Sequence, residues 1–336
     1  MASLLATSVG AAAEFTGAAA CGECHSKQYQ SQSASHHARA LRPIHDTPLA
    51  DLLTREPIRD GTGAIFQYRR ALGGVEVSIT KDSLSAHMLL EWCFGAGSKG
   101  YTPVGRVGGK YVEHRVSWYR ESARLGLTAG HPASAPLDLD SALGIPQSPQ
   151  TISRCFGCHA TGVESGPDLT RMRPGVTCER CHGPGGDHVA RARGGKAPGN
   201  TIFNPHRLPT RAQVQVCSQC HRSPNAEFQS AMPELDDPVS IRFAPVGFQA
   251  SACFRKSKTF SCVTCHDPHA DPRPAADPFY VSVCIQCHAD SPRAASSCKR
   301  AVKADCVRCH MKTESPLPNL TFTDHRIRIY LAEPRP

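Results

Sequence analysis

Seven copies of the pattern Cys-x-x-Cys-His run through this chain, and they contain 14 of its 17 cysteines. The spacing is typical of covalent attachment of c-type haem, because two thiols three positions apart can each add to one vinyl group of the same porphyrin. The next residue then lies under the ring, where its imidazole can bind the iron as the proximal ligand. The predicted attachment and proximal-ligand residues are, in chain order, Cys21, Cys24 and His25; Cys155, Cys158 and His159; Cys178, Cys181 and His182; Cys217, Cys220 and His221; Cys262, Cys265 and His266; Cys284, Cys287 and His288; and Cys306, Cys309 and His310.

A single motif of this kind would be ambiguous, since a bare Cys-x-x-Cys can be a redox dithiol or half of a zinc site. Zinc ribbons pair two such knuckles but need no histidine directly after the second cysteine. A disulfide scaffold would repeat neither the spacing nor the histidine. The repetition therefore predicts seven covalently attached haem c groups.

Composition indicates an interior that side chains alone do not fill. Aromatic residues make up 6% of the 336 residues, and glycine and proline number 27 each, which is typical of a loop-rich protein with a thin core. Seven haems change this expectation, because each is a large apolar disc tied to the backbone. We expect a mainly α fold with long loops and a small antiparallel β insert. The haems would form the core, so the apoprotein should fold poorly.

The formal net charge of +9 would be reduced by the cofactors. A ferric haem with two imidazole ligands carries about one net negative charge, so seven of them bring the holoprotein to roughly +2. Haem propionates then explain the excess of basic residues more simply than a nucleic-acid surface does. A basic cluster fits this interpretation, with a docking patch for an acidic redox partner as the alternative. Its members are Arg171, Arg173, Arg180, Arg191, Arg193 and Lys196.

The motifs are unevenly spaced. After His25, 129 residues precede Cys155, whereas the later gaps are 18, 34, 40, 17 and 17 residues. Such short gaps leave room for a short helix and a turn, so neighbouring haems must lie close together. We predict four regions, namely an export signal or tail over 1–20, a first haem-binding segment over 21–60, a β-rich insert with a Pro-rich connector over 61–150, and a six-haem cytochrome domain over 151–336.

Residues 62–120 predict a small antiparallel sheet. The runs 64–69 and 75–80 flank a Gly-Gly turn, and so do 101–107 and 110–119, which predicts two hairpins. Residues 87–94 predict a further strand. From the alternation along these strands, His114 is expected to point inward and His87 to face solvent.

Second axial ligands must come from outside the motifs if the irons are bound by two histidines. Ten further histidines permit this without requiring it. Strand alternation favours His114 over His87 as a ligand. His45 and His87 are better explained as hydrogen-bonded surface or core residues than as ligands, and for His206 the two explanations are about equal. The ten are His36, His37, His45, His87, His114, His131, His188, His206, His269 and His325.

Several segments resemble the doubled-CXXCH multihaem c-type cytochromes. They are Cys-x-x-Cys-His-Gly-Pro-Gly-Gly-Asp-His at 178–188, Cys-x-x-Cys-His-Asp-Pro-His at 262–269, Cys-His-Met at 309–311, Ser-His-His-Ala-Arg-Ala at 35–40 and Asp-His-Arg-Ile-Arg at 324–328. The chain is similar to the tetrahaem cytochrome of ammonia oxidation and, more distantly, to hydroxylamine oxidoreductase and pentahaem nitrite reductase. The resemblance covers 21–45 and 150–330 well and the β-rich insert loosely.

The resemblance implies distal ligands at His37, His188, His269 and His325, with His114 and His131 as further candidates. The seventh iron would then use His206 or stay open. The chain departs from the catalytic relatives in two respects. It has no Cys-x-x-Cys-Lys, which the nitrite reductases carry at the active haem, and no tyrosine context that matches the cross-linked tyrosine of the hydroxylamine enzymes.

Three cysteines lie outside the motifs, namely Cys93, Cys253 and Cys298. Cys253 and Cys298 each precede a motif, as is frequent in the resembling family. A disulfide between them and two buried free thiols stand as alternatives.

Attachment of haem to this motif occurs outside the cytoplasm, so we expect a periplasmic or extracellular location. Residues 4–13 are typical of the end of an apolar signal core, although a basic leading segment is missing. No other stretch is apolar enough to span a membrane, so membrane contact is expected only through a partner.

The leading functional hypothesis is electron transfer, since six-coordinate haems exchange electrons with little ligand movement and their potentials are tuned by ligation and burial. The expected partners are redox proteins, such as a quinol dehydrogenase or a terminal reductase, and not nucleic acid. The first alternative is a multihaem oxidoreductase that acts on a small nitrogen or sulfur compound at one open iron. The second is a structural haem module in a larger membrane-bound complex.

Overall fold

The computed structural model describes residues 14–59, 63–81, 83–136, 138–163, 169–197, 199–222, 237–288 and 306–330. About 37% of these are helical and 25% are in strands. The helices are α1 (Ala18–Gly22), α2 (Ser26–Ser33), α3 (Pro48–Leu53), α4 (Leu139–Leu143), α5 (Pro149–His159), α6 (Cys178–His182), α7 (Gly186–Arg193), α8 (Thr210–His221), α9 (Ala244–Ala250), α10 (Ala252–Lys256), α11 (Pro278–His288) and α12 (Cys306–His310). Turns of 3-10 helix cover Ile44–Asp46, Pro205–Arg207, Pro238–Arg242 and Cys262–Thr264.

The strands are β1 (Leu41–Pro43), β2 (Ile58–Arg59), β3 (Ile65–Ala71), β4 (Gly74–Lys81), β5 (Leu84–Phe94), β6 (Gly100–Val107), β7 (Lys110–His114), β8 (Val116–Tyr119), β9 (Arg124–Leu127), β10 (Gly144–Pro146), β11 (Ala160–Thr161), β12 (Arg173–Pro174), β13 (Thr313–Leu317) and β14 (Leu320–Thr323). The last four form two separate two-stranded sheets, β11 with β12 and β13 with β14.

The dominant feature is a curled antiparallel sheet made of β1 to β10. The strand order is β10-β7-β6-β5-β4-β3-β2, while β1 pairs with β5, and β8 pairs with both β6 and β9. The prediction of a mainly α fold with a small β insert is therefore wrong. The sheet takes in β1 from the first haem-binding segment and β10 from the Pro-rich connector. Strands of two or three residues are too short to show an alternating pattern in the sequence.

Both predicted hairpins are confirmed. β3 pairs with β4 and places Ala71 opposite Gly74, and β6 pairs with β7 and places Val107 opposite Lys110. The turn glycines Gly73 and Gly108 have φ angles of 82° and 55°, in the left-handed region that side chains disfavour. The Gly-Gly pairs were thus informative because these two turns require that conformation.

The predicted orientations of the two strand histidines are also confirmed, since His114 is 0% exposed and His87 is exposed. The alternation along β5 is broken by an irregularity in its pairing with β6 between Leu90 and Trp92. Such a bulge changes which face of the sheet the following side chains point to. Cys93 is therefore buried, and this burial raises the pKa of its thiol to about 12.

The side-chain core lies with the sheet. Of the 34 buried hydrophobic residues among those described, 25 lie within 41–163 and nine within 169–330. The sheet buries Phe66, Val77, Ile79 and Leu90 against helix residues such as Leu143. The prediction that haems form the core does not hold for this part, because its own side chains fill it. The later part, which carries five of the seven motifs, buries few apolar side chains of its own.

Candidate haem sites

The seven motifs lie in or beside helical turns. We number the sites 1 to 7 in the chain order of their motifs. The helices α5, α8 and α11 end at the motif histidines of sites 2, 4 and 6, and α6 and α12 coincide with the motifs of sites 3 and 7. The motif of site 1 begins in the last turn of α1, and that of site 5 forms a 3-10 turn. A helical turn brings the two cysteines and the histidine to one side of the backbone.

Four motif histidines each have a non-motif histidine ring facing them. The ring centroids of His25 and His188 are 6.4 Å apart with an interplanar angle of 21°. The other three separations are 5.9, 6.2 and 6.3 Å. These three pairs are His221 with His37, His182 with His269, and His266 with His325. The four partners are the histidines that the family resemblance implied as distal ligands.

The spacing of these pairs fits an iron between them. An imidazole nitrogen binds such a metal at about 2.0–2.1 Å and lies about 1.1 Å from the centre of its own ring, so two rings on opposite sides of one iron have centroids about 6.3 Å apart. For the two near-parallel pairs, His25 with His188 and His182 with His269, direct stacking would bring the rings closer than this, toward the lower end of the range for aromatic pairs. The chemistry of these four donor pairs therefore suits an iron porphyrin.

Several histidine rings of the sites donate a hydrogen bond from Nδ1 to a backbone carbonyl group, so that Nε2 is the nitrogen left for an iron. The Nδ1 atoms of His159, His182 and His310 donate to the carbonyl oxygens of Ala40, Phe203 and Arg328, at 3.0, 2.9 and 3.1 Å. His325 donates likewise to Thr323, at 2.9 Å. Such a bond fixes the tautomer and the ring orientation and leaves Nε2 available to a metal.

Burial acts on the same rings. It lowers the pKa of His159, His266 and His325, because the charged imidazolium loses solvation. Each of these rings is therefore neutral at pH 7, which is the form that binds a metal ion.

Sites 2, 6 and 7 have no histidine ring opposite His159, His288 or His310 among the residues that the structure describes. The ring of His159 instead contacts the edge of Phe94 at a centroid distance of 5.1 Å. His206, the candidate for a seventh ligand, is exposed on the 3-10 turn Pro205–Arg207. It lies in no ring pair within the described part of the chain.

His114 is engaged on both sides by protein atoms. Its Nδ1 donates to the Leu143 carbonyl at 2.6 Å, and its Nε2 lies 2.8 Å from the Tyr68 hydroxyl. Burial lowers its pKa to about 4. This arrangement leaves neither ring nitrogen for an iron and assigns His114 to the core of the sheet.

His131, the other further candidate, is 8% exposed and lies beside His114. Its Nε2 is 3.3 Å from Glu113, and its buried Nδ1 has no hydrogen-bond partner. The structure brings His131 next to no motif histidine in the described residues, although Glu113 lies near Cys155 of site 2.

Aromatic packing fixes site 2 to the sheet. Phe156, which lies between the two cysteines of this motif, is 0% exposed. Its ring contacts Trp92, Phe94 and Tyr111 at centroid distances of 6.0, 5.1 and 5.5 Å. The helix that carries Cys155, Cys158 and His159 is therefore seated on β5 and β7.

Positive charge collects beside the cysteines of site 2. Arg222 directly follows the site 4 motif, and burial and the neighbouring charge of Arg154 lower the pKa of its guanidinium. The guanidinium also lies 5.0 Å from the ring centroid of Phe243. An anion next to this site would be favoured by these charges.

Thiols of different motifs lie in contact. The pairs are Cys21 with Cys178, Cys158 with Cys220, Cys217 with Cys262, and Cys284 with Cys306. The helices concerned touch as well, since α1 contacts α6, α5 contacts α8, and α11 contacts α12. The sites therefore adjoin one another, and of these four pairs Cys284 with Cys306 spans one of the short gaps of 17 or 18 residues.

Two residues of the site 3 motif make contacts that the sequence does not indicate. No sequence pattern indicates a role for Glu179, and the basic cluster predicts Arg180 as a propionate partner. In the structure Arg180 donates to the Gly157 carbonyl, while Arg173 pairs with Glu179 and Arg193 pairs with Glu23. At least half of the predicted basic cluster is thus paired with protein acceptors. One sequence signal could have indicated Glu179. It lies between the two cysteines of a motif, and because a carboxylate there does not bind the haem, another role is expected for it.

Of the remaining predictions, Cys253 is half-buried, while Cys298 lies outside the described residues, so their pairing stays a prediction. The proposed export signal at 4–13 also lies outside them. Among the helices that the structure describes, none is both long and apolar enough for a membrane span.

Comparison with known proteins adds three findings. The family described as cytochrome c554 and c-prime matches residues 20–55 and 131–183, which contain the first three motifs. The multiheme cytochrome MtrA of Shewanella baltica (strain OS185) is 26% identical over 196 residues, covering 53% of this chain. The chain spans about half the length of that relative, at 49%. The predicted resemblance to multihaem c-type cytochromes is confirmed at this level, and the likeness to hydroxylamine oxidoreductase and nitrite reductase stays a prediction.

The third finding concerns the fold. The crystal structure of the outer cell wall cytochrome OcwA superposes with a TM-score of 0.53, covering 94% of this chain and 79% of that one. At 16% identity the likeness shows a shared fold alone.

Proposed function

We propose that this chain, which is a multihaem c-type cytochrome with covalently bound haem c, carries electrons between redox proteins through seven closely spaced haems. The observation that carries the proposal is the set of four facing imidazole pairs at 5.9–6.4 Å. When bound there, haem supplies one-electron chemistry at an iron with two imidazole ligands, whose potential is low compared with that of a His/Met iron.

The residues of this chain have three tasks in such a relay. The fourteen motif cysteines anchor the porphyrins, and the motif histidines supply one ligand each. His37, His188, His269 and His325 supply the second ligand at sites 4, 1, 3 and 5. Because both ligands stay in place, little reorganisation accompanies each electron. The contacts between thiols of different motifs favour short distances from one site to the next.

The proposed setting is periplasmic or extracellular, because this attachment chemistry belongs outside the cytoplasm. The proposed partners are a quinol dehydrogenase or a comparable donor on one side and a terminal reductase on the other. Membrane contact would then be made through a partner.

The test uses the exported, mature protein. We expect its mass to exceed that of the polypeptide by seven haems. Its spectrum should be that of a mostly low-spin cytochrome, with all haems reduced by a low-potential donor and reoxidised by a second redox protein. A colourless product without added mass would refute the proposal, and so would haems that no external protein can reduce.

One observation favours a second candidate function. Among the described residues, His159 of site 2 contacts the ring of Phe94 and faces no histidine ring, and Arg222 lies beside the cysteines of this site. An iron with an exchangeable position and a nearby guanidinium is what reduction or oxidation of a small nitrogen or sulfur oxyanion requires. In this case the oxidised protein has a high-spin component and the reduced protein binds carbon monoxide. Turnover that depends on nitrite or hydroxylamine would favour this function, and a wholly low-spin protein without carbon monoxide binding would exclude it.

A further inference from the structure

Glu179 is the first of the two residues between the cysteines of site 3. Its side chain binds the backbone segment that leads into the motif of site 1. Glu179 is 2% exposed. Its carboxylate accepts hydrogen bonds from the backbone N–H groups of Thr16 and Gly17 at 2.7 and 2.8 Å, and from Gly185 at 2.9 Å. Thr16 and Gly17 directly precede α1, which carries Cys21. The Cys21 and Cys178 thiols are in contact, so the carboxylate holds site 1 against site 3.

The next residue, Arg180, binds two other motifs. Its Nε donates to the carbonyl oxygen of Gly157, within the motif of site 2, at 2.9 Å. Its two Nη atoms lie 3.4 Å from the Gln219 side chain and 3.6 Å from the Cys220 sulfur, within the motif of site 4. One guanidinium therefore joins sites 2, 3 and 4.

A fourth neighbour reaches site 3 through its distal face. His269 faces His182 and lies three residues after His266, the proximal histidine of site 5. The segment that leaves site 5 is thus placed directly over site 3.

We infer that site 3 is a junction at which sites 1, 2, 4 and 5 meet, and that Glu179 and Arg180 are the positioning residues that hold sites 1, 2 and 4 against it. This inference rests on the proposed electron-transfer function and specifies its route. An electron that enters at site 1 passes site 3 before it can reach sites 2, 4 or 5. The Cys-x-x-Cys-His spacing leaves two free positions in every motif, and at site 3 these carry opposite charges aimed at different neighbours.

The two charges have opposite effects on the potentials of their neighbours. A carboxylate beside site 1 stabilises the ferric form there, and a guanidinium beside site 4 stabilises the ferrous form. Removing each charge should therefore shift one neighbour and spare the other, in opposite directions.

The experiment reads sites 1 and 4 separately. In His188→Met protein the step of site 1 is displaced to higher potential and is resolved in a spectral redox titration, and His37→Met does the same for site 4. Each of these two proteins is then combined with Glu179→Gln or Arg180→Gln. We expect E179Q to raise the site 1 step and leave the site 4 step in place. We expect R180Q to lower the site 4 step and leave the site 1 step in place.

Haem counting by mass spectrometry accompanies each titration, so that a loss of cofactor is distinguished from a shift. Should E179Q lower the count, R173Q keeps the Glu179 carboxylate and removes the Arg173 charge, with its ion pair to Glu179 and its hydrogen bond to the Phe15 carbonyl; it should lower the site 1 step. Equal shifts of both steps by both variants, or no shift in proteins with the full haem count, would overturn the junction while leaving electron transfer intact. Failure of the parent protein to accept electrons would instead overturn the proposed function.

Discussion

At the scale of single residues, hydrogen bonding distinguishes His114 from several histidines of the haem sites. Some, such as His325, donate through Nδ1 to a backbone carbonyl and turn the other nitrogen toward a second imidazole. His114 instead has both nitrogens taken up by Leu143 and Tyr68. In this arrangement His325 keeps a ring nitrogen for an iron, whereas His114 does not.

The first prediction concerns a distal ligand. His188→Gly should leave site 1 with one protein ligand, so one iron changes from low to high spin and binds carbon monoxide when reduced. Electron paramagnetic resonance of the oxidised protein and a carbon monoxide difference spectrum measure this. The control is His87→Gly, which removes an exposed side chain of β5 and should alter neither spectrum. An unchanged spin state in H188G would assign the ligand elsewhere.

The second prediction concerns the structural histidine. Tyr68→Phe removes the hydroxyl that lies 2.8 Å from His114 Nε2 and leaves a buried nitrogen without a partner. The free energy of unfolding should fall by about 1–3 kcal/mol, measured by denaturant titration of the mature protein. The haem absorption spectrum should stay as it is. A spectral change in Y68F would mean that His114 acts at an iron after all.

At the scale of elements, the seat of α5 on the sheet connects the two halves of the molecule. Phe156 is surrounded by Trp92, Phe94 and Tyr111, and the carbonyl of Ala40, next to β1, accepts the hydrogen bond of His159. The sheet therefore positions site 2 directly.

A third prediction follows from this seat. Phe156→Ala should destabilise the protein by about 3–5 kcal/mol, as expected for deleting a buried aromatic ring, and should loosen site 2 before the other sites. The matched control is Val263→Ala, at the same position of the site 5 motif but 41% exposed, which should cost about 0.5 kcal/mol or less. Thermal unfolding followed by circular dichroism gives both values. Equal effects of the two changes would show that the sheet does not support site 2.

The elements that could be predicted are those with local signals. The hairpins β3–β4 and β6–β7 carry a Gly-Gly turn between alternating runs, and both formed. β1 and β10 could not be foreseen, because each has three residues and pairs with a distant strand, as Leu41 does with Phe94. Their place in the sheet is decided by tertiary pairing rather than by propensity.

The candidate site divides in the same way. The proximal histidines are readable because each stands directly after its second cysteine. The distal partners were indicated by resemblance, but not the iron that each one faces. His188 lies six residues after the site 3 histidine and faces site 1 instead. Which site a distal histidine faces depends on the packing of helices against each other, which no local pattern encodes.

At the scale of the whole molecule, the hydrophobic core is distributed unevenly, since 25 of the 34 buried hydrophobic residues that the structure describes lie in 41–163. A fourth prediction is that protein made without haem keeps the sheet and loses the later part. Limited proteolysis of that apoprotein, with fragments mapped by mass, should cut first within 169–330 and spare 41–163. The mature protein should resist at the same positions. Simultaneous cleavage of both regions would mean that the sheet also depends on the cofactors.

Three proposed distal histidines lie far along the chain after the motif that they face, and this has a consequence for biosynthesis. A nascent chain that has delivered its first motif to the attachment machinery cannot complete that site until His188 emerges, and the sites of His182 and His266 wait for His269 and His325. If haem is attached as the chain emerges, the early porphyrins are held by one protein ligand until these later histidines arrive. With these proposed ligands, a chain cut short before His325 would leave unfinished an iron whose own motif had been translated in full.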